Sequence, residues 1–111
     1  MNEQKELLAN LLLELRRGTI VLSVLSRARR PTYGYALVQV LEEKGIPVEA
    51  NTLYPLLRRL EKQGLLTSKW ETAGAKPRKY YMCTPTGEEI YGTLKAYWKT
   101  LCKSMDELME D

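Results

Sequence analysis

The chain opens on leucines spaced for one side of a helix. Leu8, Leu11, Leu12 and Leu15 recur at i, i+3, i+4 and i+7, and Leu7 widens the stripe. Arg16-Arg17-Gly18 supplies a cationic last turn and a glycine stop, so a helix is predicted over 3–17. Ile20, Val21, Val24, Leu25 and Ala28 predict a second helix from Thr19 to about Arg29, apolar enough to sit centrally and broken at Arg30-Pro31-Thr32. Leu37, Val38, Val40 and Leu41 predict a third, from Tyr33 to Lys44, ended by Gly45. Gly34 lies at its start, where a small residue allows close packing or a tight entry. After an extended connector, Ile46-Pro47-Val48-Glu49, the leucines Leu53, Leu56, Leu57 and Leu60 predict a fourth helix over 51–63, stopped by Gly64. Glu49 or Asn51 is its N-cap, and Pro55 removes one backbone donor from an early turn.

Past Gly64 the period changes. Leu65 to Glu71 and Arg78 to Cys83 read as two strands joined by the turn Thr72-Ala73-Gly74-Ala75-Lys76-Pro77. Tyr80 and Tyr81 point to opposite faces, one expected in the core and one out, and Trp70 on the facing strand reads as a packing residue ahead of a base-stacking one. Thr84-Pro85 opens a last helix over 85–111, with Gly87 in its first turn. There Tyr91, Leu94, Trp98, Leu101, Met105 and Leu108 follow a 3, 4, 3, 4, 3 spacing, a heptad seam too long for a small core at the other end of the fold to cover. Each buried leucine or methionine contributes roughly 1.5–3 kcal/mol, so sharing the seam between two copies is favourable. The first helix, through Leu8, Leu11, Leu12 and Leu15, is the expected second element of that interface. Pairing of the two terminal helices within one chain would leave Tyr97 and Trp98 hard to place.

The fourth helix has two unlike faces. Opposite its leucines stand Asn51, Pro55, Arg58 and Lys62, with Arg59, Thr52 and Tyr54 on the flanks. Basic groups on such a face neutralise phosphate or read guanine, and an amide can read adenine. Tyr54 fits either a phosphate contact or a partly buried place beside Leu57. The hairpin that follows carries Lys76, Arg78 and Lys79 at or near its tip. A basic helix followed by a hairpin with a cationic tip is the layout of a winged helix-turn-helix: a mainly α fold in which the helix enters the major groove and the hairpin touches the neighbouring backbone. Arg27, Arg29 and Arg30 could add backbone contacts, or be solvated charge.

Thr52-Leu53-Tyr54-Pro55, Arg59-Leu60-Glu61 and Gly64-Leu65-Leu66, followed by Pro77-Arg78-Lys79-Tyr80-Tyr81 and Thr84-Pro85-Thr86-Gly87, resemble the PadR family of bacterial transcriptional regulators. The resemblance runs from about Thr19 to the C-terminus. It implies a single unit over 1–111: an N-terminal helix (3–17), a winged helix-turn-helix (18–84) and a dimerisation helix (85–111). It implies a homodimeric repressor, acting on double-stranded DNA at a palindromic operator. Trp98 stands at a seam position, where packing accounts for it. The resemblance extends to multidrug-sensing members, in which a tryptophan on the dimerisation helix stacks on flat ligands. That implies a planar hydrophobic ligand near Trp98, Tyr97 and Tyr91.

Composition agrees and removes alternatives. With 111 residues the chain is expected to form one domain, and its net charge of +3 permits nucleic-acid binding without demanding it. There is no histidine, and Cys83 and Cys102 lack metal-ligand spacing, so no metal site or cofactor is expected. No glycine-rich phosphate loop or nucleophile–base pair points to an enzyme. No apolar run is long enough to span a bilayer and no targeting signal is visible, which points to a cytoplasmic protein with reduced cysteines. The competing function is a winged-helix protein–protein interaction module that does not bind DNA; an acidic or apolar fourth-helix face would mark it, and here that face is basic.

Overall fold

A computed structural model describes residues 2–110. Met1 and Asp111, the ends of the expected unit and, for Asp111, of the expected last helix, lie outside the described residues. The order of elements is α1 (Asn2–Arg17), α2 (Ile20–Arg27), β1 (Thr32–Tyr33), α3 (Gly34–Glu43), α4 (Ala50–Lys62), β2 (Leu66–Glu71), β3 (Arg78–Cys83) and α5 (Pro85–Met109).

The core collects the apolar stripes of α2, α3 and α4 against one face of the sheet. Val24, Leu25 and Ala28 of α2, Leu37 and Leu41 of α3, and Leu53, Leu57 and Leu60 of α4 are buried, with Val48, Leu66, Tyr81 and Cys83 closing the cluster. Leu56, Val38 and Val40, which share the predicted stripes, are only partly buried at its margin. Both α3 and α4 stop in the same way. Gly45 and Gly64 take positive φ, 81° and 80°, which a side chain would resist. The next amides, Ile46 and Leu65, then donate back to the carbonyls of Leu41 and Leu60 at 2.8 and 3.0 Å. Glu49 is the residue before α4, and its side chain makes no capping bond.

The sheet has one strand more than the expected hairpin. Thr32 and Tyr33 pair with Tyr81 and Tyr80, giving the antiparallel order β1-β3-β2. The residues expected to break α2 and open α3 are therefore a strand, and α3 begins at Gly34. The end of β3 also satisfies α2. The Cys83 amide donates to the Ala28 carbonyl at 2.8 Å, and its thiol lies 3.4 Å from the Leu25 carbonyl. These are carbonyls a helix end leaves without internal partners.

The heptad seam divides in two. Tyr91 and Leu94, expected in the bare stripe, pack against the core of their own chain, and Arg29 lies 5.2 Å above the Tyr91 ring. Beyond them Trp98, Leu101, Met105 and Leu108 are exposed. No residue of α1 is buried, and Leu7, Leu8, Leu11, Leu12, Leu13 and Leu15 are all open to solvent.

Candidate nucleic-acid interface

The leucines of α4 fix its rotation. With Leu53, Leu57 and Leu60 in the core, Asn51, Pro55, Arg58 and Lys62 emerge on the far side, all exposed. Pro55 has no N–H, so the Asn51 carbonyl on that outward face has no helical donor to receive. Thr52 and Arg59 lie on one flank, in a shallow groove with Arg17, Ile20 and Val21. Tyr54 and Glu61 lie on the other, toward the hairpin. The Tyr54 ring covers Gly34 so closely that a Cβ there would stand 2.7 Å from Cζ. This contact, together with partial exposure, places Tyr54 between its two expected roles: packed along its ring, open at its edge.

Across from that flank stands the hairpin. A cleft between α4 and the sheet is lined by Tyr54 and Arg58 on one wall and by Trp70, Lys76, Arg78 and Lys79 on the other, with Tyr35 of α3 at its end. Five of the nine residues singled out in the sequence thus share one groove. Asn51 and Lys62 adjoin Arg58 on the outward face, and Thr52 and Arg59 face away from the cleft. Lys76 and Arg78 are exposed; Arg78 lies 5.0 Å over the Tyr33 ring, which meets Tyr80 edge-on at 5.5 Å. Lys79 is turned inward. Its ammonium is 3.9 Å from Glu61 and 5.4 Å from the Tyr81 ring centre, and Ser68 donates to the same carboxylate at 2.5 Å.

Glu61, Tyr35 and Trp70 are residues here that the sequence reading does not place at the site. Glu61 braces the hairpin against α4. Trp70, a packing residue by its place in the strand, is 61% exposed. Its partner across the ladder, Lys79, is the available signal: a tryptophan opposite a lysine near a hairpin tip has little core to enter.

The exit from α4 is tied to the entry of α5. The Thr84 hydroxyl donates to the Gly64 carbonyl at 2.6 Å, the Thr84 amide donates to the Leu65 carbonyl at 3.1 Å, and the same hydroxyl oxygen caps α5 by accepting from the Gly87 amide at 3.0 Å. Gly87 rests on the Leu65 carbonyl, leaving no room for a Cβ. The direction of α5 is thereby set from the end of α4.

Among the described residues no three His, Cys, Asp or Glu side chains gather as a metal site, and no helix is long and apolar enough to cross a membrane. Residues 21–93 match the transcriptional regulator PadR-like family. The chain belongs to the PadR family. A PadR-family transcriptional regulator from Eggerthella lenta DSM 2243 has a similar crystal structure, with 51% identity and a TM-score of 0.92, over 99% of this chain and 98% of that one. A PadR-like transcription factor from Bacteroides fragilis gives 35% identity and a TM-score of 0.72, over 89% and 98%. The transcriptional regulator Rv3488 of Mycobacterium tuberculosis is 37% identical over 75 residues, 67% of this chain and 70% of its own length. This PadR chain is accordingly a transcriptional regulator and not an enzyme.

Proposed function

We propose that this PadR-family chain is a cytoplasmic, homodimeric repressor that binds double-stranded DNA sequence-specifically. Segment 51–63 enters the major groove and segment 72–79 rests on the backbone of a palindromic operator. The observation that carries the reading is the grouping of Arg58 with the hairpin cations around one cleft, with Lys62 beside Arg58 on the outward face and buried leucines behind. Arg58 and Asn51 approach base edges, while Lys76, Arg78 and Lys79 meet phosphate. Lys79 brings Glu61 with it and so contributes less net charge than Lys76. The exposed half of the α5 seam and the bare leucines of α1 support a dimer in which each chain covers the other's terminal helices. A planar hydrophobic ligand that releases DNA would stack on Trp98 and Tyr97; Tyr91 is occupied by its own core.

Fluorescence anisotropy on operator and random duplexes over a range of salt tests the reading. Arg58→Ala should cost about 1–3 kcal/mol on operator and relax one position per half-site. Lys76→Ala should weaken all sequences alike and lower the salt slope by about 1 for each phosphate left unneutralised. An R58A protein that binds both duplexes as the wild type does refutes the helix assignment. Sedimentation of Leu101→Glu as a monomer, against a wild-type dimer, tests the seam. Titration with planar dyes, using Trp98→Ala as control, tests the ligand.

A further inference from the structure

The hairpin outruns the core it covers. Along its inner face the ladder pairs Leu66 with Cys83, Ser68 with Tyr81 and Trp70 with Lys79. Leu66, Tyr81 and Cys83 are buried; one step further out the same face has no core beneath it, and Trp70 hangs over the cleft. Its largest apolar surface is held open on a short ladder, facing Tyr54 and Tyr35 and bordered by Arg58 and Lys76.

We propose that this cleft holds the sugar–phosphate backbone of one DNA strand, with the Trp70 ring packed on a deoxyribose, Lys76 and Arg78 on the neighbouring phosphates, and Arg58 reaching past the strand toward the base edges. The inference rests on the DNA-binding reading and extends it to a residue outside the cationic set. The lining selects the occupant. A backbone strand alternates charged phosphates with apolar sugar faces, and the cleft alternates cationic rims with aromatic walls. A flat neutral compound would leave the cations unanswered, and a small anion would leave Trp70 bare. The position suits the strand as well, because a backbone leaving the groove occupied by α4 must pass between that helix and the hairpin to reach its tip. Trp70 then acts as an apolar contact that recognises no base: it strengthens every duplex and fixes how far the hairpin settles on the strand.

The signature differs from that of a cation. Covering about half of the ring's free surface corresponds to roughly tenfold in affinity per half-site. No counterion is released by an apolar contact, so the salt slope stays that of the wild type. Trp70→Ala and Trp70→Phe should be compared with wild type by anisotropy on operator and random DNA across salt, and by hydroxyl-radical footprinting, which reads sugar accessibility. The expected result is a parallel loss for W70A on both DNAs of about tenfold per half-site, about a hundredfold for a dimer engaging two half-sites, a smaller loss for W70F, and a sugar beside each half-site that becomes cleavable only in W70A. Affinity within twofold of wild type, an unchanged footprint, or a salt slope lowered as by Lys76→Ala overturns the proposal. A wild-type protein that binds no duplex removes the DNA reading itself, a distinct failure visible before any variant is made.

Discussion

Gly34→Ala sets two opposite effects against each other, and the structure says how to separate them. The added Cβ would stand 2.7 and 2.8 Å from Cζ and Oη of Tyr54, closer than such atoms approach. Overpacking of this kind costs about 1–3 kcal/mol. Gly34 does not have a positive φ, so alanine is compatible with the backbone, and restricting the unfolded chain returns about 0.4–1 kcal/mol. The balance is a net loss of about 1 kcal/mol, held down because Tyr54 is partly exposed and can swing outward. With Tyr54→Ala the obstruction is gone, and the glycine replacement should stabilise by about 0.4–1 kcal/mol. The coupling between the two sites is therefore about 1–3 kcal/mol, read from urea unfolding of wild type, G34A, Y54A and the double variant at one protein concentration. G34A alone should also weaken DNA binding, because it turns the Tyr54 ring away from the cleft. If G34A changes stability by the same amount with and without Tyr54, the ring does not rest on the glycine and the reasoning fails.

Gly87→Ala meets a main-chain carbonyl, that of Leu65, which cannot rotate aside; it should cost about 3 kcal/mol, at the upper end of overpacking, in urea unfolding. A loss below about 1 kcal/mol would show that α4 and α5 are joined more loosely than the close approach of Gly87 to Leu65 implies. For Cys83, burial pushes the thiol above its ordinary 9.0, Glu88 adds to the rise and Arg29 opposes it. The folded chain then keeps this proton to higher pH than the unfolded chain, so the associated stability is intact below 9.0 and is lost as pH rises beyond it toward the folded value. Between about pH 7.5 and about pH 10 the wild type should lose more stability than Cys83→Ala; equal losses would refute the shift.

The sequence carried the helices and the hairpin because each announces itself locally, by leucines at helical spacing or by alternation around a turn. It could not carry β1: two residues show no period, and Thr32 and Tyr33 become a strand only by meeting Tyr80 and Tyr81. The division of the seam was hidden for a related reason. Heptad spacing is the same whether a position is covered by its own chain, as at Tyr91 and Leu94, or left open, as at Trp98 and Leu101. In the cleft, charge marked Arg58, Lys76 and Arg78, but charge does not say which cations are already answered. Only the fold brings Glu61 to Lys79, or ends the core one ladder step before Trp70.

The bareness of α1 reaches past architecture to dosage. A helix of 16 residues in water is near the length at which it barely holds together alone, and this one buries nothing within its own chain. In the proposed dimer its folding would be completed by association, and its helicity would depend on how many copies are present. On dilution α1 would fray into a substrate for proteases, while at higher concentration the same residues are sheltered. Loss of active regulator would thus run ahead of loss of protein, giving a sharper off-switch than binding to DNA alone provides. Circular dichroism followed through a dilution series reads this directly, as helix content that falls with concentration while the sheet signal holds.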